Sequence, residues 1–381
     1  ERYRNVCHMS TDAQQPATRA ITAGRGNGGR ALAPALWANS VWESTDLIDA
    51  NRRATTLRST EFYSRYANPT VSAFEEAVAA LEGAETSMAF ASGMGAISSV
   101  VLALCSAGDH IVAQRQLYSA TLAFLQGPCK RFGIDVTFVD GTKPGEFAAA
   151  VRPGRTMLVI AETPTNPLLE MVDLDEVGAL RGPITLVDST FATPLGQQPI
   201  AHGVQLSLHS ATKGIDGHND ATLGVVSGER ELLNHIWSYS VLHGATASPF
   251  DALNALRGIR TLAVRTNHQA ASALHIAESL QGHPAVKAAH YPGLHTHPQH
   301  DLAKRQMRHF GTVLALDLAG GRAAAEHLLK NVQLAHVATS LGGPETIICH
   351  PRTTTHLSLT EAEAEQMGVG PGLLRISIGL E

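Results

Sequence analysis

The sequence is poor in several things at once. Lysine is scarce, six residues among the 29 Lys+Arg, and aromatics make up 5% of the chain. The net charge is −5, so no basic surplus marks a nucleic-acid or anionic-membrane binder, and a small partner is expected. No apolar run reaches the roughly 18 residues of a membrane span, and the polar start lacks the apolar stretch of a secretion signal. Four cysteines, Cys7, Cys105, Cys129 and Cys349, stand far apart without a CxxC pair. That spacing fits reduced thiols in a cytoplasm better than a disulfide framework or a zinc knuckle. Internal repeats and low-complexity tracts are missing too. Met9 is the expected natural start, and residues 1 to 8 before it are assigned no function.

What is present is a chain of 381 residues with 44% hydrophobic and 17% charged residues, long enough for two or three domains around sizeable cores. Residues 1–67 are rich in Gly, Arg and Ala with weak periodicity, and read as an extended arm that must lie on something, a neighbouring subunit being the expectation. From 68 to 255 short apolar runs alternate with helical stretches: "TSMAFA", "HIVAQ", "DVTFVD", "TMLVIAET", "ITLVDS", "VQLSLHS" and "ATLGVVSG". This order predicts an α/β domain with a mostly parallel sheet covered on both faces. Within it, Ser72 with Glu75 three residues on predicts a helix start, and Gly83 its end. Past a long amphipathic helix from "SPFDALNAL", the order "GTVLALDL", "AAAEHLLKNV" and "LLRISIG" predicts a smaller α+β domain over 256–381.

Against six lysines in all, Lys213 in "SLHSATKGIDGHND" stands out, on a short turn after a strand-like run. A lysine desolvated there has a lowered pKa, and its neutral amine can attack a carbonyl. Asp188 closes another apolar strand 25 residues upstream, at the edge where open α/β sheets bind ligands, and a buried aspartate needs a cationic partner. In "FASGMGAISSVVLAL", Ser92, Gly93 and Met94 open a helix with small residues, leaving backbone N–H groups free to hold a phosphate. An amine for a Schiff base, a carboxylate for a ring nitrogen and a phosphate cradle together meet the needs of pyridoxal 5'-phosphate (PLP). The histidines His295, His297 and His300 lack a fourth ligand at zinc spacing, and no metal is expected.

The segments "FYSRYANPT", "SGMGAI", "ETPTNP", "DSTFATP", "HSATKGIDGHND" and "LLRISIGLE" resemble, in order and spacing, the Cys/Met-metabolism family of PLP enzymes, from about residue 18 to the end. The resemblance implies the aspartate-aminotransferase-like fold of PLP-dependent transferases (fold type I) and a homotetramer of dimers with shared sites. It makes Lys213 the Schiff-base lysine and Asp188 the partner of the pyridine nitrogen. Ser210 and Thr212, with Ser92, Gly93 and Met94, would hold the phosphate, and Tyr63 and Arg65 would reach the neighbouring subunit's phosphate. Tyr118 would stack on the ring and supply a proton, Asn166 would meet the 3-hydroxyl, and Arg375 with Ser340 would bind the substrate carboxylate.

Family members that handle cystathionine tend to carry charged side chains at three pocket positions, which here read Phe62, Ala123 and Thr339. The absence of charge there points to methionine γ-elimination. Two departures from methionine γ-lyases stand beside it: Ala120 in place of a cysteine, and Ser240 with Val241 in place of a Lys-Asp pair. The alternatives are an O-acylhomoserine sulfhydrylase, a cystathionine γ-lyase or γ-synthase, and a PLP-fold binding subunit without turnover.

Overall fold

The computed structural model describes residues 14–25, 31–357 and 360–381; Cys7 and residues 1 to 8 lie outside them. Seven apolar runs become seven strands: β1 (Thr86–Phe90), β2 (His110–Gln114), β3 (Asp135–Val139), β4 (Thr156–Glu162), β5 (Ile184–Asp188), β6 (Leu206–Ser210) and β7 (Gly224–Gly228). They form one sheet in the order β1-β7-β6-β5-β4-β2-β3, parallel except for β7, which runs against both neighbours. Successive residues of a strand point to opposite faces, and here both faces are buried. Leu158, Ile160, Leu186, Leu206 and Leu208 join one core; Val112, Val159, Ala161 and Val187 join another on the other side. Such strands read as continuous apolar runs, which is why the sequence displays them.

The helix Pro69–Glu82 begins earlier than Ser72. Asn68 is its cap, accepting the N–H groups of Thr70 and Val71, and Pro69 fills the first turn, where a missing N–H does no harm. Ser72 therefore lies inside the helix, and Glu75 serves elsewhere: it is buried, accepts the Ala89 N–H at 2.8 Å and pairs with Arg58 at 2.6 Å. Gly83 ends the helix in the left-handed region, at φ 68°.

A 32-residue helix, Pro249–Leu280, carries the chain from the first sheet to a second. Its N-terminal part (Ala252, Leu256, Ile259) packs in the core around Phe74; Ala273 and Ala277 pack in the core of the second sheet. The boundary expected at residue 256 falls within this continuous helix. The second sheet has the order β10-β11-β12-β9-β8, from β8 (Val286–His290), β9 (Val313–Leu318), β10 (His336–Val337), β11 (Ile347–Cys349) and β12 (Leu373–Ser377).

The segment expected as an arm is not uniform. Its helix Pro16–Thr22 packs on its own chain, with Ala20 in the core and the Arg19 guanidinium donating to the Ala80 carbonyl at 3.0 Å. Farther on, Leu32, Val41, Leu47, Ile48 and Leu57 are exposed. Among the described residues no helix is long and apolar enough to cross a membrane, and no group of three or more His, Cys, Asp or Glu is placed to hold a metal.

Candidate active site

Strands β1, β4, β5 and β6 run parallel to one another, so their carboxyl ends share one edge of the sheet, and a cavity of about 290 Å³ opens there. Each strand end delivers a side chain or a backbone group to it. After β1, Ser92 caps the helix Gly93–Leu104 by accepting the Gly95 N–H at 3.0 Å. The Gly93 and Met94 N–H groups, in the first turn, have no acceptor within the helix, and both residues line the cavity. A Cβ on Gly93 would stand 2.9 Å from Cβ of Ser210, so only glycine lets this turn approach β6 so closely.

Asp188 ends β5 and Glu162 ends β4 directly beside it, in register. Oδ1 of Asp188 accepts both the N–H and the hydroxyl of Thr190, whose Oγ1 also receives the Ser210 N–H at 2.8 Å. Burial pushes the Asp188 carboxyl up despite these bonds, and no cationic side chain pairs with it among the described residues. Past β6, Lys213 reaches into the cavity and donates from Nζ to Oγ of Ser340 at 2.7 Å. Burial, with the Arg375 charge nearby, lowers its pKa to about 8.

The opposite wall comes from the second sheet. Arg375, buried in the middle of β12, donates to Oδ1 of Asn166 and to the Ser340 carbonyl, each at 2.9 Å, and lies 5.9 Å from the Phe191 ring centroid. Ser340 holds φ 84°, an unfavourable conformation for a residue with a Cβ. It thereby presents its hydroxyl to Lys213 and its carbonyl to Arg375.

This donor set fits PLP: helix-terminal N–H groups and Ser210 for a phosphate, a partly deprotonated amine for an aldehyde, and an unpaired buried carboxylate for a ring nitrogen. The Cys/Met metabolism PLP-dependent enzyme model matches residues 17–381. The chain belongs to that family. PLP is its cofactor, and it is an enzyme of sulfur-amino-acid metabolism. It is similar to the O-succinylhomoserine sulfhydrylase of Pseudomonas aeruginosa, 40% identical over 91% of this chain and 87% of that protein. It is similar also to the L-methionine gamma-lyase of Fusobacterium nucleatum subsp. polymorphum, 39% identical over 92% of this chain and 90% of that one. Among solved structures, cystathionine gamma synthase from Xanthomonas oryzae pv. oryzae, in complex with aminoacrylate and cysteine, superposes with a TM-score of 0.91 at 36% identity. The match covers 97% of this chain and 94% of that one. The fold is accordingly that of the fold type I PLP enzymes.

In this family member the cavity gathers Ser92, Gly93, Met94, Tyr118, Asn166, Asp188, Ser210, Thr212, Lys213, Thr339, Ser340 and Arg375. Thr212 takes part with a hydroxyl already engaged, since it donates to the Leu223 carbonyl at 3.1 Å and accepts the Leu223 N–H at 2.9 Å. Four expected site residues, Phe62, Tyr63, Arg65 and Ala123, do not line the cavity of the single chain. Arg65 instead packs against Tyr63 and Tyr66 and donates to the Val241 carbonyl. Seven lining residues, Ile97, Thr121, Glu162, Thr190, Phe191, Leu341 and Thr355, are not singled out from the sequence; of these, Glu162 and Thr190 each hydrogen-bond two other site residues. Glu162 carries the signal that marked Asp188, a carboxylate closing an apolar strand, and Thr190 stands two residues past Asp188, where its N–H and hydroxyl can both reach back.

Proposed function

We propose that this enzyme eliminates the γ-substituent of a sulfur amino acid, converting L-methionine and water to methanethiol, 2-oxobutyrate and ammonia. One observation carries this reading. Apart from Glu162, Asp188, Lys213 and Arg375, every described residue lining the cavity is uncharged, and Met94, Ile97, Phe191 and Leu341 supply apolar wall. The methylthio end of methionine needs only such contact, whereas the distal ammonium and carboxylate of cystathionine would be buried there unpaired, at a cost of several kcal/mol.

PLP, when bound, supplies an electron sink for charge developing at Cα. The chain's own groups do the rest. Arg375, whose Nη1 and Nη2 already donate to Asn166 and the Ser340 carbonyl and so fix its plane, orients the substrate carboxylate with its remaining N–H groups. Lys213 takes the Cα proton, releases it within the site and, as the free amine again, takes a Cβ proton, a task suited to an amine whose pKa is near 8. Tyr118, on the cavity rim, gives its hydroxyl proton to the thiolate leaving Cγ. Among the described residues of one copy the phosphate end has neutral donors only, which supports Arg65 of a second copy, with Tyr63 of that copy beside it, as the source of the missing charge, and hence a shared site in a dimer or tetramer.

A second reading, sulfur replacement on an O-acylhomoserine, is favoured by the similarity to the Pseudomonas aeruginosa sulfhydrylase. Incubating the purified enzyme with methionine, cystathionine and O-acetylhomoserine, with and without sulfide, and identifying every product separates them. Methanethiol and 2-oxobutyrate from methionine are expected; homocysteine formed solely from O-acetylhomoserine and sulfide would establish the second reading instead.

A further inference from the structure

Two carboxylates leave the sheet side by side, Glu162 from β4 and Asp188 from β5, on strands about 4.8 Å apart. Their surroundings differ. Asp188 spends one oxygen on Thr190, with no hydrogen bond to the other among the described residues, and lines the cavity. Glu162 spends both: Oε2 accepts the Tyr118 N–H at 2.7 Å and Oε1 accepts the Asn166 N–H at 3.1 Å. Its own N–H is held by Oε1 of Gln114 at 2.9 Å. With both oxygens occupied by backbone donors, Glu162 is not disposed to move protons for a substrate.

Its contacts nonetheless lead straight into the working groups. Asn166 receives Arg375, Arg375 donates to the Ser340 carbonyl, and the Ser340 hydroxyl receives Lys213. One hydrogen-bonded path thus runs Tyr118, Glu162, Asn166, Arg375, Ser340, Lys213, and the carboxylate of Glu162 is its only link between the tyrosine and the rest. Burial and the neighbouring Asp188 push the Glu162 carboxyl well up from its ordinary value, a cost that packing alone does not explain, since an apolar residue would fill the space without it.

We propose that Glu162 is a positioning residue: its carboxylate fixes the Asn166 backbone, and through Asn166 the guanidinium of Arg375, while holding Tyr118 over the cavity with its other oxygen. The proposal rests on the reading of Arg375 as the carboxylate anchor. Glutamine at this position keeps one acceptor and turns an amide N–H toward the other backbone donor, so one of the two bonds must break.

The test is equilibrium binding of glycine, which has the shared amino and carboxylate groups but no leaving group, followed by the visible absorption of the PLP holoenzyme. Glu162→Gln is expected to weaken glycine about tenfold with PLP content unchanged. Asn166→Ala should weaken it too, and the double variant should bind no more weakly than Asn166→Ala alone, because glycine has no leaving group for Tyr118 to meet and so reads only the arm of Glu162 that runs through Asn166. Wild-type affinity in Glu162→Gln, or additive losses in the double variant, would overturn the proposal while leaving the anchor intact. If Arg375→Lys and Asn166→Ala both bind glycine as the wild type does, the anchor reading falls and this proposal with it. Should Glu162→Gln not fold, Glu162→Asp, which keeps the charge but is one methylene too short to meet both N–H groups, carries the same cycle with the same expected outcome.

Discussion

The carboxyl edge of the large sheet and the segment that precedes it make opposite use of the same chain. At the sheet edge, Lys213, Ser340, Arg375 and Asn166 are joined by short hydrogen bonds, with Asp188 lining the same cavity, and one copy supplies all five. Between residues 31 and 66 large apolar side chains stand in the open, Leu47 at 89% and Ile48 at 81% exposure, and Tyr63 and Arg65 do not line the cavity at the sheet edge. An apolar surface of this kind is costly to leave in water and marks a surface meant to be covered. On the shared-site proposal, the difference separates the part of the site that a single fold specifies from the part that a second copy would supply.

The strongest way to break that comparison is to divide the site between two inactive chains. Lys213→Ala removes the base and should reduce turnover by at least about 10²-fold. Arg65→Ala should also inactivate, by weakening the neighbour's phosphate site rather than its own. Mixed and allowed to exchange subunits, the two should recover activity, about a quarter of the wild-type level for random pairing into dimers, since half of the mixed dimer's sites are intact. Steady-state methanethiol release measures it. No recovery despite proven exchange would place Arg65 outside any shared site.

How much of each region the sequence displays follows from what holds it together. The strands of the first sheet, apart from the partly exposed edge strand β3, are buried on both faces and so appear as apolar runs, which lets Asp188 and Lys213 be placed at their ends. The start of the helix Pro69–Glu82 was harder, because Asn68 and Ser72 are both good caps and the choice turned on Pro69. Strand β8, "VKAAH", and the two-residue β10 have neither a β-branched run nor clean alternation, and they exist because β9 and β11 pair with them. Phe62 and Ala123 illustrate a different limit. Their pocket role was taken from a pattern shared by assembled enzymes, and the fold of one chain holds Phe62 against Tyr66 and leaves Ala123 exposed.

A smaller effect sharpens the comparison at the distal wall. Thr339 lines the cavity from the same chain, so Thr339→Glu should bring a carboxylate to the distal ammonium of cystathionine. The ratio of kcat/KM for cystathionine to that for methionine should rise about tenfold, equivalent to about 1.4 kcal/mol in transition-state binding. An unchanged ratio would mean that the wall meeting the distal end is supplied by the neighbour's arm rather than by Thr339.

The smallest effect tests whether the sheet-edge half is indeed self-sufficient. Burial inside its own chain lowers the Lys213 pKa from 10.5 to about 8, so the folded apoenzyme binds fewer protons than the unfolded chain between those values. Stability from this group is therefore lowest below pH 8 and rises with pH until about 10.5. Lys213→Met, similar in volume and without charge, lacks that dependence. Its apoenzyme should melt above the wild type at pH 7, with the gap closing as the pH is raised through 8 toward 10.5. Because the cause lies in Arg375 and the walls of the same chain, the gap and its closing should be the same when both proteins also carry Arg65→Ala. A gap that vanishes in the Arg65→Ala background would show that the arm of a second copy helps to desolvate the lysine, and the two regions would then no longer be separable.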